Sequence, residues 1–387
     1  MTQKGMTKNQ GRGGDAEEAQ RDLRGFQEGP YAGTPPLVSV VIPCYNQAHF
    51  LGEAIESVLG QNHPNFEIVV VDDGSTDDTS EVATRYPGVR LVRQENQGLS
   101  GARNAGIRHS EGEYVVFLDA DDRLLPGALE AGLECFEANP ECAFVSGYCN
   151  NIATDGSPLS PPPRYLHVGG DPYLALLRAN YIMMPAMVVY RRSVFESVGG
   201  FDTSLKAAED YEMYLRIARR FPVRSHGRVV AEYRRHDTSM SRNPTLMLSA
   251  SVAVLRSQRK HLRGHKRYKE AYKYGIWRRQ GNYGFLLVDE VRAYVKEHEW
   301  KRVLRGALVL LRYYPRGLAL VLLSERHLER RRLARHLQRS SQELELLEQW
   351  LKEPESTLAE EQHQNVLWLT QRIQKLERGI QKLDQRG

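Results

Sequence analysis

The sequence predicts an α/β fold with a doubly wound, mostly parallel sheet, followed by an all-α C-terminal extension. Short β-branched runs alternate with helix-like stretches in the first part of the chain, as in sheets whose strands are buried on both faces. Beyond Pro244 the pattern is helical nearly to the end. Charge also changes along the chain, since residues 1–240 carry a net −9, residues 241–340 carry +17 and residues 341–387 carry −3. An acidic body and a basic helical segment therefore serve different purposes.

The elements of the body are predicted in chain order from hydrophobic runs and periodicity. The predicted strands are Leu37–Pro43, Glu67–Val71, Arg90–Val92, Tyr114–Leu118 and Ala143–Ser146. The predicted helices between them are Ala48–Leu59, Asp77–Tyr86, Leu99–His109 and Pro126–Ala138. After a loop over residues 150–170, residues 171–240 mix two helices with short strands such as Met187–Tyr190 and Val229–Tyr233.

Composition divides the chain into four segments. Residues 1–36 are rich in Gly, Gln and charge and predict a disordered N-terminal arm, and the α/β body spans residues 37–240. A basic helical extension covers residues 241–340, and a helical hairpin or coiled-coil tail covers residues 341–387. The four cysteines form no CxxC pair, no signal peptide is visible, and no run reaches the roughly 20 apolar residues of a spanning helix. A cytoplasmic setting is expected.

Carboxylates follow two of the predicted strands. The second strand runs into Asp72 and Asp73, and the fourth into Asp119, Asp121 and Asp122. Ligands of open α/β sheets bind beyond the carboxyl ends of the strands. An Asp-x-Asp cluster there suits a hard divalent cation that also binds phosphate. The alternative is that the acids cap the next helix in solvent, and we prefer the metal interpretation.

Two further segments could contact a nucleotide, although the P-loop and G-x-G-x-x-G patterns are absent from the sequence. Pro43, Tyr45 and Asn46 end the first strand and could lie against a planar base, or form an ordinary turn. Arg103 and Asn104 follow a glycine-rich helix start and could hold a diphosphate. Taken alone, Arg103 and Asn104 are better explained as a helix entry with a surface arginine.

Four motifs together carry a family resemblance. The motifs occur in the order VSVVIPCYN, VVVDDGSTD, GLSGARNAG and FLDADD. With them the chain closely resembles the family 2 glycosyltransferases over about residues 37–240. Members of that family are inverting enzymes of GT-A fold. Gly199–Asp202 with Ala208–Tyr211 resembles the acceptor-side loop and Glu-Asp motif of the family, and Tyr233–His236 its Tyr-Arg-x-His segment.

The resemblance implies a role for each matching residue. Asp72 and Asp73 would recognise the nucleoside, Asp119 and Asp121 the ribose and a diphosphate-bound metal, and Asp210 would be the general base. Glu209, Gly200 and Phe201 would lie on the acceptor side, and His236 near the diphosphate or the metal. Imidazole suits Mn²⁺ better than Mg²⁺. The cofactor would be Mn²⁺ or Mg²⁺.

The resemblance also implies the partners. They would be a nucleoside diphosphate sugar, most often a UDP-sugar in this family, and a glycan, lipid-linked or lipopolysaccharide-type acceptor. Two rival functions remain: a nucleotide-sugar-binding or scaffold protein without catalysis, and nucleic-acid binding through the basic segment. The segment has interleaved aromatic residues but no recognised nucleic-acid motif, so no nucleic acid is expected.

The C-terminal segments carry two amphipathic patterns. Trp300–Leu311 has apolar residues at helical spacing punctuated by basic ones, and Pro315 ends or kinks the helix. It fits a membrane interface, and we prefer peripheral membrane contact to the alternative of packing on the body. An a/d heptad seam runs through Val366, Leu369, Ile373, Leu376, Ile380 and Leu383, and a shorter one through Leu344, Leu347 and Leu351 stops at Pro354. A hairpin and a homodimer fit these seams equally.

Overall fold

The computed structural model describes residues 34–159, 170–237, 239–323, 325–350 and 359–385, in two compact units. The first unit consists of the described parts of Met1–Val168 and Asn180–His236. The second consists of the described parts of Gly169–Ala179 and Asp237–Gly387. Apart from residues 34–36, the predicted N-terminal arm lies outside the described residues, as does the predicted break at Pro354.

A mixed sheet forms the centre of the first unit, with the strand order β3-β2-β1-β4-β7-β6-β8-β5. The strands are β1 Val38–Cys44, β2 Phe66–Asp72, β3 Val89–Arg93, β4 Tyr114–Phe117, β5 Arg123–Leu124, β6 Phe144–Ile152, β7 Val188–Arg191 and β8 Val223–Arg234. β3, β2, β1 and β4 are parallel neighbours, and β6 pairs with β8 in parallel. β7 and β5 pair antiparallel with their neighbours. The predicted α/β fold with a mostly parallel sheet is confirmed.

Helices flank this sheet as the alternating sequence pattern predicts. In chain order they are α1 Ala48–Leu59, α2 Thr79–Thr84, α3 Gly98–His109 and α4 Ala128–Ala138, then, after α5 Pro172–Arg178 of the second unit, α6 Ser193–Val198 and α7 Glu209–Ala218. All seven residues of β1 are buried. A Cβ atom on Gly106 would lie 2.1 Å from a methyl carbon of Val41, so glycine lets α3 approach the sheet directly.

The structure differs from the predicted elements mainly near the second half of the sheet. β8 begins at Val223, six residues before the predicted Val229, because its polar first half gains backbone pairing with β6. The two-residue β5 has no hydrophobic pattern of its own and exists through its pairing with β8. The predicted helix Asp77–Tyr86 is shorter, spanning Thr79–Thr84, since Asp77 accepts hydrogen bonds from Thr79 at the helix start.

The described part of the second unit is helical, as predicted for the extension. Besides α5, it contains α8 Pro244–Ser257, α9 Lys266–Arg279, a π-helical turn Gln280–Gly284, α10 Phe285–Lys296, α11 Trp300–Tyr313, α12 Pro315–Val321, α13 Glu325–Trp350 and α14 Ala359–Gln385. Its core lies between α8, α10, α11 and α12 and includes Val252, Val288 and Leu310. α13 and α14 contact each other. Within the described residues, no helix has the length and apolarity to cross a bilayer.

Candidate active site

The predicted site residues of β1, β2 and β4 lie at one edge of the sheet. These three strands are parallel neighbours, so their carboxyl ends point the same way. Tyr45–Asn46 follows β1, Asp72–Asp73 spans the end of β2, and Asp119–Asp122 follows β4. The topology therefore brings together three motifs that are far apart in sequence.

Asp72 is buried and holds the loop after β2. Its carboxylate accepts hydrogen bonds from the backbone of Ser75 at 2.8 Å and the hydroxyl of Ser80 at 2.6 Å, and Arg93 lies 3.2 Å away. Burial would raise the pKa of Asp72, but the hydrogen bonds from Ser80 and Ser75 and the charge of Arg93 bring it below its ordinary value. Asp72 therefore stays ionised and fixes the loop.

Asp73 connects the end of β2 to the start of α3. Its carboxylate accepts hydrogen bonds from the side chain of Gln94 at 2.6 Å and from the backbone amides of Gln97 and Gly98 at 2.9 and 2.8 Å. An acceptor at a helix N-terminus satisfies amides that have no partner within the helix. The predicted contact of Asp72 and Asp73 with a nucleoside stays a prediction, and their observed hydrogen bonds fix the loop after β2.

The end of β1 presents one exposed ring. Pro43 is buried within the strand, whereas Tyr45 is 50% exposed. Asn46 has a left-handed backbone with φ 54°, and its side-chain oxygen accepts from the amide of Thr76 at 2.8 Å. Asparagine tolerates this conformation better than most residues. Asn46 therefore ties β1 to the loop after β2, and Tyr45 is free to offer a ring face.

Arg103 lies at the centre of the carboxylate cluster and is 1% exposed. Its guanidinium donates to Asp119 at 2.7 Å and to Glu209, and lies 5.5 Å from the ring centroid of Phe201. Burial would lower the pKa of Arg103, but the charges of Asp119 and Glu209 raise it above the ordinary value. The guanidinium is thus directed at two carboxylates, and its predicted contact with a diphosphate stays a prediction.

Asn104 fixes the loop that the resemblance places on the acceptor side. Its amide donates to the carbonyl of Phe201 at 2.9 Å and accepts from the amide of Phe201 at 2.8 Å. A Cβ atom on Gly200 would lie 2.4 Å from the side-chain oxygen of Asn104, so only glycine permits this approach. Phe201 itself packs edge-on against Phe117. The motif containing Arg103 and Asn104 therefore connects the Asp119 loop to the loop of Gly200 and Phe201.

Asp210 lies in the first turn of α7, next to the cluster. Burial and the charge of Glu209 raise the pKa of Asp210 to about 7, against the opposing charge of Arg103. A carboxylate with such a pKa is suited to accept a proton near neutral pH. The helix begins after Ala208, whose φ of 59° is uncommon for a residue other than glycine. Strained backbone of this kind tends to occur where a site needs a fixed side-chain direction.

His236 and Asp121 form a hydrogen-bonded pair beside Asp119. Nε2 of His236 lies 2.8 Å from Oδ2 of Asp121, and both side chains are largely buried. Burial and repulsion from Asp119 raise the pKa of Asp121, partly offset by His236. Asp122 is more buried still, and burial and repulsion from Asp121 raise its pKa well above the ordinary value. The loop after β4 therefore carries more carboxylate than nearby hydrogen-bond donors satisfy.

Arg234 was not predicted as a site residue, yet it holds this loop in place. It is 1% exposed, and its guanidinium donates to the carbonyls of Asp121 and Thr154 at 2.8 and 2.7 Å and to Glu53 at 2.6 Å. Its backbone amide also donates to Asp122. The sequence contains a signal that points to Arg234. Alternation near the end of β8 places Arg234 and His236 on the side opposite to Arg235.

The carboxylates after β4 and the nearby imidazole of His236 are of the chemical type that divalent cations bind. In the part of the chain that the structure describes, no three His, Cys, Asp or Glu side chains are arranged to hold a metal ion by themselves. Magnesium-type sites, however, often use one or two carboxylates and take further ligands from phosphate and water. Asp119, Asp121 and His236 supply such donors, with an excess of negative charge that a cation would offset.

Comparison with known proteins identifies the chain's relatives. A sequence model described as "Glycosyl transferase family 2" matches residues 39–199. The putative teichuronic acid biosynthesis glycosyltransferase TuaG of Bacillus subtilis is 32% identical over 217 residues, which are 54% of this chain and 82% of TuaG. The chondroitin synthase of Escherichia coli is 31% identical over 187 residues, which are 47% of this chain and 26% of that protein.

Two further comparisons concern length and fold. A Rickettsia felis glycosyltransferase is 32% identical over 220 residues, so the chain spans only 35% of that relative's length. Crystal structures of S. aureus TarS 1-349, including complexes with UDP and UDP-GlcNAc, share the fold with TM-scores of 0.51 to 0.53 at 18 to 19% identity. For the first of them, the match covers 78% of this chain and 87% of TarS 1-349. From the family match and the 32% identity over 82% of TuaG, we conclude that this chain belongs to glycosyltransferase family 2.

Proposed function

We propose that this family 2 enzyme transfers a sugar, with inversion, from a nucleoside diphosphate donor to a hydroxyl group of a glycan, lipid-linked or lipopolysaccharide-type acceptor. The observation that carries the proposal is the cluster of Arg103, Asp119, Glu209 and Asp210 at the carboxyl edge of the sheet. In support of the proposal, burial and the charges of Glu209 and Asp119 raise the pKa of the Asp210 carboxyl group to about 7, which suits proton transfer near neutral pH.

Asp210 is the proposed general base. It accepts the proton of the acceptor hydroxyl while the hydroxyl oxygen forms a bond to the anomeric carbon and the bond from that carbon to the diphosphate oxygen breaks. The bonding electrons leave with the nucleoside diphosphate. A single displacement of this kind inverts the anomeric centre. Arg103 and Glu209 act through position, because the guanidinium joins the loop of Asp119 to the start of α7.

Asp119, Asp121 and His236 are the proposed holders of Mn²⁺ or Mg²⁺. When bound there, the cation would neutralise charge on the diphosphate leaving group. The chain's own contribution is the fixed loop. Arg234 holds the carbonyl of Asp121 and the carboxylate of Asp122, so the donor atoms are positioned before a nucleotide arrives.

Tyr45 is the proposed contact for the nucleotide base, with Asp72 and Asp73 holding the adjoining loop. A half-exposed ring at the end of β1 can stack on a planar base. TarS 1-349 has been solved with UDP and UDP-GlcNAc, which makes UDP-sugars the first donors to test. We further propose a cytoplasmic enzyme in peripheral contact with a membrane, with a homodimer through the C-terminal heptads as a separate expectation.

A donor screen tests the proposal. The full chain is mixed with UDP-, GDP- and TDP-sugars, and release of the nucleoside diphosphate is measured with Mn²⁺, with Mg²⁺ and with a chelator. We expect release from at least one donor, with activity lost on chelation. Binding of a nucleotide sugar without any release across acceptors would favour a scaffold without catalysis. Salt-sensitive binding of DNA or RNA in place of nucleotide sugars would favour the nucleic-acid alternative.

A further inference from the structure

Helix α11 of the second unit has an apolar face that the described chain leaves exposed. Trp300, Leu304, Leu308 and Leu311 are 57 to 63% exposed, although each is large and apolar. Their spacing of four, four and three residues places them on one side of the helix. Single exposed apolar residues are common on protein surfaces, but four along one helix face form a patch that needs a partner.

The same helix has a second, separate face that packs on the unit's own core. Gly306 and Leu310 are buried, and Leu310 belongs to the cluster that includes Leu287 and Val291. A Cβ atom on Gly306 would lie 2.4 Å from a methyl carbon of Val291, so α11 lies directly against α10. The orientation of α11 is therefore fixed by packing, and its apolar exposed face lies on a different side of the helix from Gly306 and Leu310.

Cations border the exposed face. Lys301, Arg305 and Arg312 are all exposed. At about 100° per residue, the four apolar residues span an arc of about 80°, and these three cations fall within the next 60° or so. Apolar residues beside a row of cations match the chemistry of an anionic bilayer surface, with acyl chains below and phosphate groups above.

We propose that the α11 face docks on an anionic lipid bilayer, with the helix lying in the plane of the interface. Trp300, Leu304, Leu308 and Leu311 enter the boundary between headgroups and acyl chains, while Lys301, Arg305 and Arg312 reach lipid phosphates. The segment of residues 241–340, with a net charge of +17, adds long-range attraction to such a surface. The indole of Trp300 suits the interfacial depth, because its ring is apolar and its N–H needs a polar partner.

A second copy of the chain fits this face less well. A two-fold dimer through α11 pairs the same surface on both copies, and in its antiparallel form the row of Lys301, Arg305 and Arg312 lies beside the same row of the second copy. Like charges at close range oppose such pairing. An anionic surface has the opposite charge over the whole length of the row. The observed charges therefore favour lipid over self-association.

Vesicle flotation tests this inference independently of sugar transfer. Full-length protein is floated with vesicles of phosphatidylcholine alone and of phosphatidylcholine with about one third phosphatidylglycerol, at low and high salt. We expect at least about tenfold stronger binding to the anionic vesicles at low salt, reduced by salt. Because donor turnover is assayed without vesicles, failure of one proposal is distinguishable from failure of the other.

Three variants locate the binding surface. Leu304→Ser with Leu308→Ser is expected to lower vesicle binding at least about tenfold. Lys301→Glu with Arg305→Glu should abolish the preference for anionic vesicles. Leu59→Ser is the matched control, since Leu59 is a 47% exposed leucine of α1 in the first unit, and it should bind as the wild type does. Circular dichroism and the melting temperature verify that each variant is folded.

Several results would overturn the inference. One is wild-type protein that stays unbound at low salt, and another is a folded double-serine variant that floats like the wild type. A concentration-dependent dimer that the double-serine change dissolves, without vesicle binding, would assign the face to a second copy. Binding of poly-glutamate through the face, again without vesicle binding, would assign it to an acidic protein partner.

Discussion

At the residue scale, Arg103 determines the electrostatics of the proposed site, because one buried guanidinium contacts both Asp119 and Glu209. Removing one partner of a buried ion pair leaves an unpaired charge in a medium that solvates it poorly. The charge of Arg103 also opposes the rise in the pKa of Asp210. Arg103 therefore links the loop after β4 to the helix start that carries Glu209 and the proposed base. Arg103 and Glu209 are 106 positions apart in the sequence.

The raised pKa of Asp210 predicts a pH dependence of turnover. The carboxyl group has an ordinary pKa of 3.8 and is raised to about 7 in the folded protein, chiefly by burial. A general base works in its ionised form, so kcat/KM should rise about tenfold per pH unit below pH 7 and level off above it. The measurement is nucleoside diphosphate release from pH 5 to 9, with Asp155→Asn, an exposed acid, as the matched control. A flat profile over this range would contradict the assignment.

Local sequence predicts a role for these residues but not their partners within the protein. The motif with Arg103 and Asn104 predicts a diphosphate contact for both, which stays a prediction. The structure directs Arg103 to carboxylates and Asn104 to the backbone of Phe201. Spacing within one motif cannot reveal contacts to residues about 100 positions away, which depend on how the strands and helices come together.

At the scale of elements, β8 and the loop after β4 form one supporting structure. Arg234 on β8 donates to the carbonyl of Asp121 and to Glu53 of α1, and His236 just beyond β8 lies against Asp121. Arg123 of β5 pairs with Glu232 of β8 and with Glu53 of α1. The site's acidic loop is thus held from one side by a strand that contributes no predicted catalytic group.

Adjacent arginines on β8 allow a matched test of this support. Arg234→Lys loses the planar set of donors that serves three oxygens, whereas Arg235 is exposed and Arg235→Lys loses little. We expect Arg234→Lys to lower the free energy of unfolding by about 2 to 4 kcal/mol and to raise KM for the donor, and Arg235→Lys to stay within about 0.5 kcal/mol. Urea unfolding and donor kinetics measure both. Equal behaviour of the two variants would refute the proposed support.

The sequence predicts a helix or strand well where that element has a hydrophobic pattern of its own. β1, β2 and β4 are buried apolar runs and appear within one residue of the predicted ends, and α1 has the predicted bounds. β5 and the first half of β8 are polar, and exist because partner strands supply their hydrogen bonds. Ala208 likewise gives no sequence sign of the left-handed backbone that it adopts just before α7.

At the scale of the whole molecule, the charge partition agrees with the division into two compact units. The acidic body contains the sheet edge with the proposed site, and the basic segment is helical and carries the α11 face. The helix α5 belongs to the second unit despite its position in the sequence. A Cβ atom on Gly275 would lie 2.0 Å from the carbonyl oxygen of Leu177, so α9 and α5 are in direct contact. Such a long-range contact leaves no trace in the local pattern of α5.

The central claim is that Asp210 is the base of a glycosyl transfer, and one variant tests it most directly. Asp210→Asn keeps the shape of the side chain but cannot accept the proton. With the donor that the screen identifies, we predict a dissociation constant by calorimetry within about threefold of wild type and a kcat lower by at least about a hundredfold. A folded Asp210→Asn variant that binds the donor and turns over at the wild-type rate would contradict the claim.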